Sequence, residues 1–229
     1  MRFLICVLGL CLGLQTGFAE TVCIDPGHSR ATVGAVGKRG GVEYKLCWQI
    51  ALKLKAELEK NGITVVLAKP NRDANIANED RAAVANKNNA ALFLRLHCDA
   101  GSQSGFATFY PAQQGIKDGI RGPSKSVIAA SKRAASAFHN AVIKTLDGAL
   151  KSRGVRTDKQ TAIGSKQGAL TGSIFSQVPV VLAEMCVLSN SKDEAFILQE
   201  KNQDRLAQAM AAGVRAVLAN ASKPEQVTK

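Results

Sequence analysis

Rings are scarce in this 229-residue chain: three His, one Trp, two Tyr and eight Phe. So few aromatics give little with which to stack successive bases, so nucleic acid is not expected as a partner even though the chain is basic. No apolar run after the first residues is long enough for a membrane helix. No two cysteines are spaced as CxxC, which gives no support to a zinc knuckle or a thioredoxin-type motif. Acid is short as well: 18 Asp and Glu stand against 30 Lys and Arg, for a formal net charge of +12. There is no internal repeat and no interdomain linker.

What is present begins with an address. Met1-Arg2 is a minimal basic start, residues 3–14 are apolar but too short to span a bilayer, and Gly17-Phe18-Ala19 offers a small-x-small cleavage site before Glu20. Leu10 precedes Cys11 and Ile5 precedes Cys6, where a lipoprotein signal wants a small residue, so no lipid or membrane anchor is expected. Residues 1–19 are therefore read as a signal peptide, with the product exported to a periplasm or an extracellular envelope. Cleavage leaves 210 of the 229 residues, enough for one domain with a full core, and lowers the charge to +11 because Arg2 departs. In an envelope, a balance of this sign favours an acidic polymer; plain solubility is the simpler use of the same charge. Cys23, Cys47, Cys98 and Cys186 remain. The first two read as small buried residues. Cys98 and Cys186 follow His97 and Glu184 by one and two positions, and a disulfide and two free thiols stay equally open.

Strand and helix signals alternate. Apolar runs at 21–25, 63–68, 91–97 and 178–184 read as buried parallel strands, with 105–110 as a further strand at an edge. Leu46, Ile50, Leu54 and Leu58 recur every four residues within a helix over 42–61, which Asn61-Gly62 ends. Further helices are expected at 79–88, 125–150 and 203–220. Residues 29–41 and 111–124, both rich in glycine, read as a loop and a flexible connection. The fold class is α/β: a single domain over 20–220 with a mostly parallel twisted sheet and helices on both faces, then a fraying tail at 221–229.

In such a sheet, ligands bind outside the carboxyl ends of the strands. Three polar residues occupy those ends: His28, His97 and Glu184, while Glu43 opens the first helix. Neutral imidazole and carboxylate oxygen suit zinc, and a catalytic zinc site takes three protein ligands plus water. The set reads as a zinc hydrolase.

Ile24-Asp25-Pro26-Gly27-His28, then Glu43, then Arg81 with Ala85-Asn86, then His97-Cys98-Asp99-Ala100, then Leu182-Ala183-Glu184 with Ser189-Asn190, together resemble the zinc-dependent N-acetylmuramoyl-L-alanine amidases of the cell-division type. The resemblance runs from about Val22 to about Leu218. It implies one zinc ion held by His28, Glu43 and His97, Glu184 as the catalytic carboxylate, and peptidoglycan or a muropeptide as substrate. The bond cut would join the lactyl group of N-acetylmuramic acid to L-alanine of the stem peptide. Three residues depart from the usual pattern: Ser29, Cys98 and Arg95. Arg95 lies two residues before His97, shares its face by strand alternation, and is expected to contact a stem-peptide carboxylate. Arg81 is expected to brace a strand end by pairing with a carboxylate, Asp25 to orient the turn or a ligand, and His139 to be structural or exposed. Residues 113–124 are too short and glycine-rich for an inhibitory plug helix, so an open cleft is expected. Two alternatives stand beside the amidase: a zinc peptidase cutting within the stem, and a peptidoglycan-binding module of the same fold without turnover.

Overall fold

Apolar runs without alternation make strands in this chain because helices cover both faces of the sheet. The computed structural model describes residues 20–221; the leader at 1–19 and the tail from 222 onward lie outside the described residues. In chain order the strands are β1 (Thr21–Pro26), β2 (Thr64–Leu67), β3 (Leu92–Asp99), β4 (Phe106–Tyr110), β5 (Gly115–Lys117), β6 (Ile120–Gly122), β7 (Ser152–Thr157) and β8 (Val180–Val187). The helices are α1 (Glu43–Glu59), α2 (Asn78–Lys87), α3 (Lys125–Leu146), α4 (Gly164–Gln167), α5 (Thr171–Ile174), α6 (Ser191–Ile197) and α7 (Glu200–Ala221).

The main sheet has the order β2-β1-β3-β8-β4-β7. β2, β1, β3 and β8 run parallel, while β4 runs against β8 and carries β7 parallel to itself. One face packs on α1, α3 and α7, where Ile50, Leu54, Phe138, Leu206 and Met210 meet Ile24, Leu94 and Leu96. On the other face, Ala82 and Ala85 of α2 close on Cys23, Phe93 and Val180. Helices on both faces of a mostly parallel sheet are the architecture expected. Among the described residues no helix is long and apolar enough to cross a membrane.

Four details differ from the expectation. β4 is interior, because β7 pairs outside it; Ser152-Arg153-Gly154-Val155-Arg156-Thr157 carries two arginines and a glycine and gave no apolar signal. Residues 111–124 contain the β5–β6 hairpin in place of a flexible connection, with Asp118 and Gly119 at φ 51° and 79° making its turn. α3 stops at Leu146, four residues early, because Asp147 and Gly148 adopt φ 43° and 76°. α7 runs to Ala221, one residue past the expected end of the last helix, and the rest of the expected tail lies outside the described residues. His139 is buried and shares hydrogen bonds with Thr108 and Ser152, a structural role. All four cysteines are free and buried. Hydrogen bonding to the thiols of Cys186 and Cys47, reinforced by burial, holds Cys98 well above the ordinary thiol range.

Candidate metal centre and active site

His28 lies two residues beyond the end of β1 with φ at 61°, a backbone region that a non-glycine side chain occupies at a cost. Two cations clamp its carbonyl there: Lys69 Nζ donates to it at 2.8 Å and Arg81 Nη2 at 3.1 Å. Arg81 also donates to Asp25 Oδ1 and the Pro26 carbonyl, each at 2.8 Å, and through Nε to the Ile76 carbonyl. That is the expected bracing of a strand end.

Asp25 is fully buried between two guanidiniums, because Arg95 Nε donates to its other oxygen at 2.8 Å. Burial alone would raise its pKa. Arg95 and Arg81 outweigh burial and lower it to about 2. Arg95 also reaches Asn78, and a Cβ placed on Gly172 of α5 would fall 2.6 Å from its Nη1. Its side chain is thus roofed by α5 and bound to Asp25, and this placement gives no support to the stem-peptide contact expected of Arg95.

Glu43, the first residue of α1, is held by backbone from both sides. Ala35 N donates to Oε2 at 2.7 Å and Cys98 N to Oε1 at 3.0 Å. The same Oε1 lies 3.1 Å from His28 Nε2 and 2.9 Å from His97 Nδ1. The two rings meet edge to face with centroids 5.0 Å apart. Burial opposes the charge on Glu43, but hydrogen bonds from His28 and His97 overcome it and pull the carboxyl well below its ordinary range. Burial pushes His97 down, against the pull of Glu43, and so favours the neutral imidazole that ligates metals. Small residues make this convergence possible. A Cβ on Gly27 would come 2.6 Å from the His97 ring, and one on Gly34 would come 2.3 Å from Glu43 Oε2.

One donor atom from each of His28, Glu43 and His97 lies within 4.8 Å of the others. Ligands at ~2.0–2.1 Å around a tetrahedral ion lie roughly 3.3 Å apart, close to the two contacts seen here. His97 Nε2 is buried without a partner, so the ring is not held by ordinary hydrogen bonding at both nitrogens. Two imidazoles and one carboxylate are a donor set for zinc, and the residues present fit that ion.

Glu184 stands opposite His97 in the β3–β8 register, on the same face. Its Oε2 is buried and has no partner. Burial raises its pKa well above the carboxylate range, helped by the charges of Glu43 and Asp99 and opposed by Arg153 and Arg95. A buried carboxyl without a partner beside a metal-binding cluster is placed where a group that exchanges protons with substrate would stand. The structure thus gathers His28, Glu43, His97 and Glu184 at one rim and leaves Arg95 beneath it.

Sequence reasoning missed Lys69 and Arg153. Lys69 is almost fully buried, and burial lowers its pKa to about 8. A lysine directly after the apolar run of β2 was the available signal. Because Lys69 fixes the carbonyl of a strained histidine, Lys69→Met is expected to weaken zinc affinity about 10- to 100-fold, measured by competition with a chromogenic chelator. An unchanged affinity would remove Lys69 from the support of the site.

A family model described as N-acetylmuramoyl-L-alanine amidase matches residues 22–216. The chain belongs to this family. It is 27% identical over 222 residues to the N-acetylmuramoyl-L-alanine amidase AmiC of Escherichia coli O6:H1, covering 87% of this chain and 53% of that protein. The chain thus spans about half the length of that curated relative. The catalytic domain of CwlV, an amidase of the same name from Bacillus (Paenibacillus) polymyxa var. colistinus, superposes with a TM-score of 0.70 at 28% identity, covering 87% of this chain and 98% of that one. The N-acetylmuramoyl-L-alanine amidase of Clostridium difficile 630 gives a TM-score of 0.72 at 28% identity, with coverage of 90% and 99%. The α/β domain described above is that of the family's catalytic domains, and its rim of His28, Glu43, His97 and Glu184 falls within the matched residues.

Proposed function

We propose that this member of the amidase family hydrolyses the amide bond between N-acetylmuramic acid and the L-alanine of peptidoglycan stem peptides. The observation that carries the reading is the meeting of His28, Glu43 and His97 around one small volume, with the orphaned carboxyl of Glu184 next to His97 in the sheet. His28, Glu43 and His97 would hold one zinc ion, which when bound supplies a Lewis acid for the amide carbonyl and makes water acidic near neutral pH. Glu184 takes the proton of the attacking water and returns it to the leaving nitrogen of L-alanine. Glu43 is fixed by two backbone amides and Asp25 by two arginines, so little reorganisation is needed as charge develops. Residues 1–19 act as an export signal, which would bring the enzyme to its polymer in a periplasm or an extracellular envelope. The positive charge of the chain draws it to an acidic wall.

Digestion of purified muropeptides separates this reading from a peptidase on the same metal chemistry. The expected products are intact stem peptides and peptide-free glycan, identified by mass. Shortened stems still attached to muramic acid would reassign the enzyme to cleavage inside the stem. Binding without any product would leave a non-catalytic wall-binding module.

A further inference from the structure

Glu184 has His97 of β3 on one side and Ala107 of β4 on the other. The metal cluster occupies the β3 side. On the β4–β7 side a cleft of about 370 Å³ opens against Glu184, with Phe109, Arg153, Arg156, Gln103 and Gln160 among its walls. That volume is at the lower end of those that enclose a small ligand.

We propose that this cleft receives an anionic part of the stem peptide, with Arg153 as the group that binds its carboxylate. The proposal rests on the amidase reading above and names the recognition that goes with it. The Arg153 side chain is only 7% exposed. Its Nη2 donates to Asp99 Oδ2 at 2.5 Å and its Nε to Gln103 Oε1 at 2.9 Å. Its Nη1 is buried and has no acceptor. A guanidinium carries five N–H donors in a rigid fork that matches a carboxylate, and a buried donor left without a partner is costly. Asp99 and Gln103 therefore aim the fork and leave part of it for an acceptor that the protein itself does not supply. Arg156 adds a second positive charge to the same cleft, with its Nε anchored on the Arg153 carbonyl at 3.1 Å, beside the carboxyl groups of Asp99 and Glu184 that also line it. A scissile amide held between the metal cluster and Glu184 would leave one flank of the substrate facing this cleft, because Glu184 lines it. The glycan side of that amide carries no carboxylate, since the lactyl carboxyl is consumed in the amide, whereas the peptide side does. The chemistry of the cleft thus assigns it to the peptide.

The test is titration calorimetry of the full chain with a stem tripeptide bearing free carboxylates and with the same tripeptide fully amidated. Both metal-free and zinc-loaded protein are used, because a carboxylate can also approach the metal. The free-carboxylate peptide is expected to bind about 10- to 100-fold more tightly in both forms. Arg153→Gln should bring the two peptides to within about twofold of each other, and Arg153→Lys should restore only part of the difference. Equal affinities for wild-type protein, or a preference that Arg153→Gln leaves intact, would overturn the proposal. Should Arg153→Gln not fold, the wild-type comparison on metal-free protein decides whether the cleft prefers a carboxylate, and Arg153→Lys decides whether Arg153 binds it, a preference undiminished in that variant overturning the assignment. The two readings fail separately. A carboxylate preference dependent on Arg153 without release of stem peptides leaves the subsite standing and removes the amidase. Release of stem peptides with no preference does the reverse.

Discussion

Replacing Glu184 with glutamine is expected to lower kcat/KM on a muropeptide by about 10²- to 10⁴-fold, the range for loss of a positioned general acid-base group. Glutamine keeps the shape and cannot take a proton from water. The variant should fold as well as the parent for a reason visible in the site. Glu184 Oε2 has no hydrogen-bond partner, so no hydrogen bond at that oxygen is lost. Its folded pKa is raised, by burial first and then by Glu43 and Asp99. A carboxyl whose pKa rises on folding costs stability above its unfolded pKa, so a neutral amide at pH 7 removes a burden. The melting temperature at pH 7 should therefore be no lower than that of the parent, and zinc content by mass spectrometry should be unchanged. Activity within threefold of the parent would move the proton transfer to another residue.

What the sequence disclosed and what it hid follow from one physical difference. Strands β1, β3 and β8 are buried on both faces and read as unbroken apolar runs, which located His28, His97 and Glu184; the ends themselves were set too early, because β3 runs on to Asp99 and β8 to Val187. Helix α1 declared itself by Leu46, Ile50, Leu54 and Leu58 meeting the core at every fourth residue, which put Glu43 at its first turn. Strand β7 was invisible because it lies at an edge, where one flank is solvent and arginines are tolerated. Arg153 was missed with it. Other supports of the site were hidden for a different reason: Lys69 with His28 and Cys98 with Glu43 are contacts across long stretches of chain, with no periodicity to read. The bracing role of Arg81 was legible, and its pairing with Asp25 bears it out. Arg95 shows the limit of strand alternation. It shares the face of His97 as expected, yet α5 covers that face at Arg95, and a helix of four residues leaves almost no trace in composition.

Chelation should abolish amide hydrolysis without unfolding the protein, and one equivalent of zinc per chain should restore it. The two halves of this expectation rest on different parts of the structure. Activity is lost because His28, Glu43 and His97 converge on one volume and the proposed chemistry needs the charge they would hold. The fold survives because the core belongs to Leu94, Leu96, Phe138 and Met210 with their neighbours, none of which depends on the trio. Glu43 is itself tied to Ala35 and Cys98 by backbone donors that remain when a metal is withdrawn. Zinc would still stabilise by mass action, about 4 kcal/mol at a free concentration a thousand times its dissociation constant, so the melting temperature should fall on chelation and recover on repletion. His97→Ala removes one ligand of three and should reduce bound zinc to well below one per chain, with turnover lost in proportion. A metal-free protein that still releases stem peptides at the parent rate would detach the reaction from this cluster. One that unfolds would instead make the ion a structural clasp of the loop between β1 and α1.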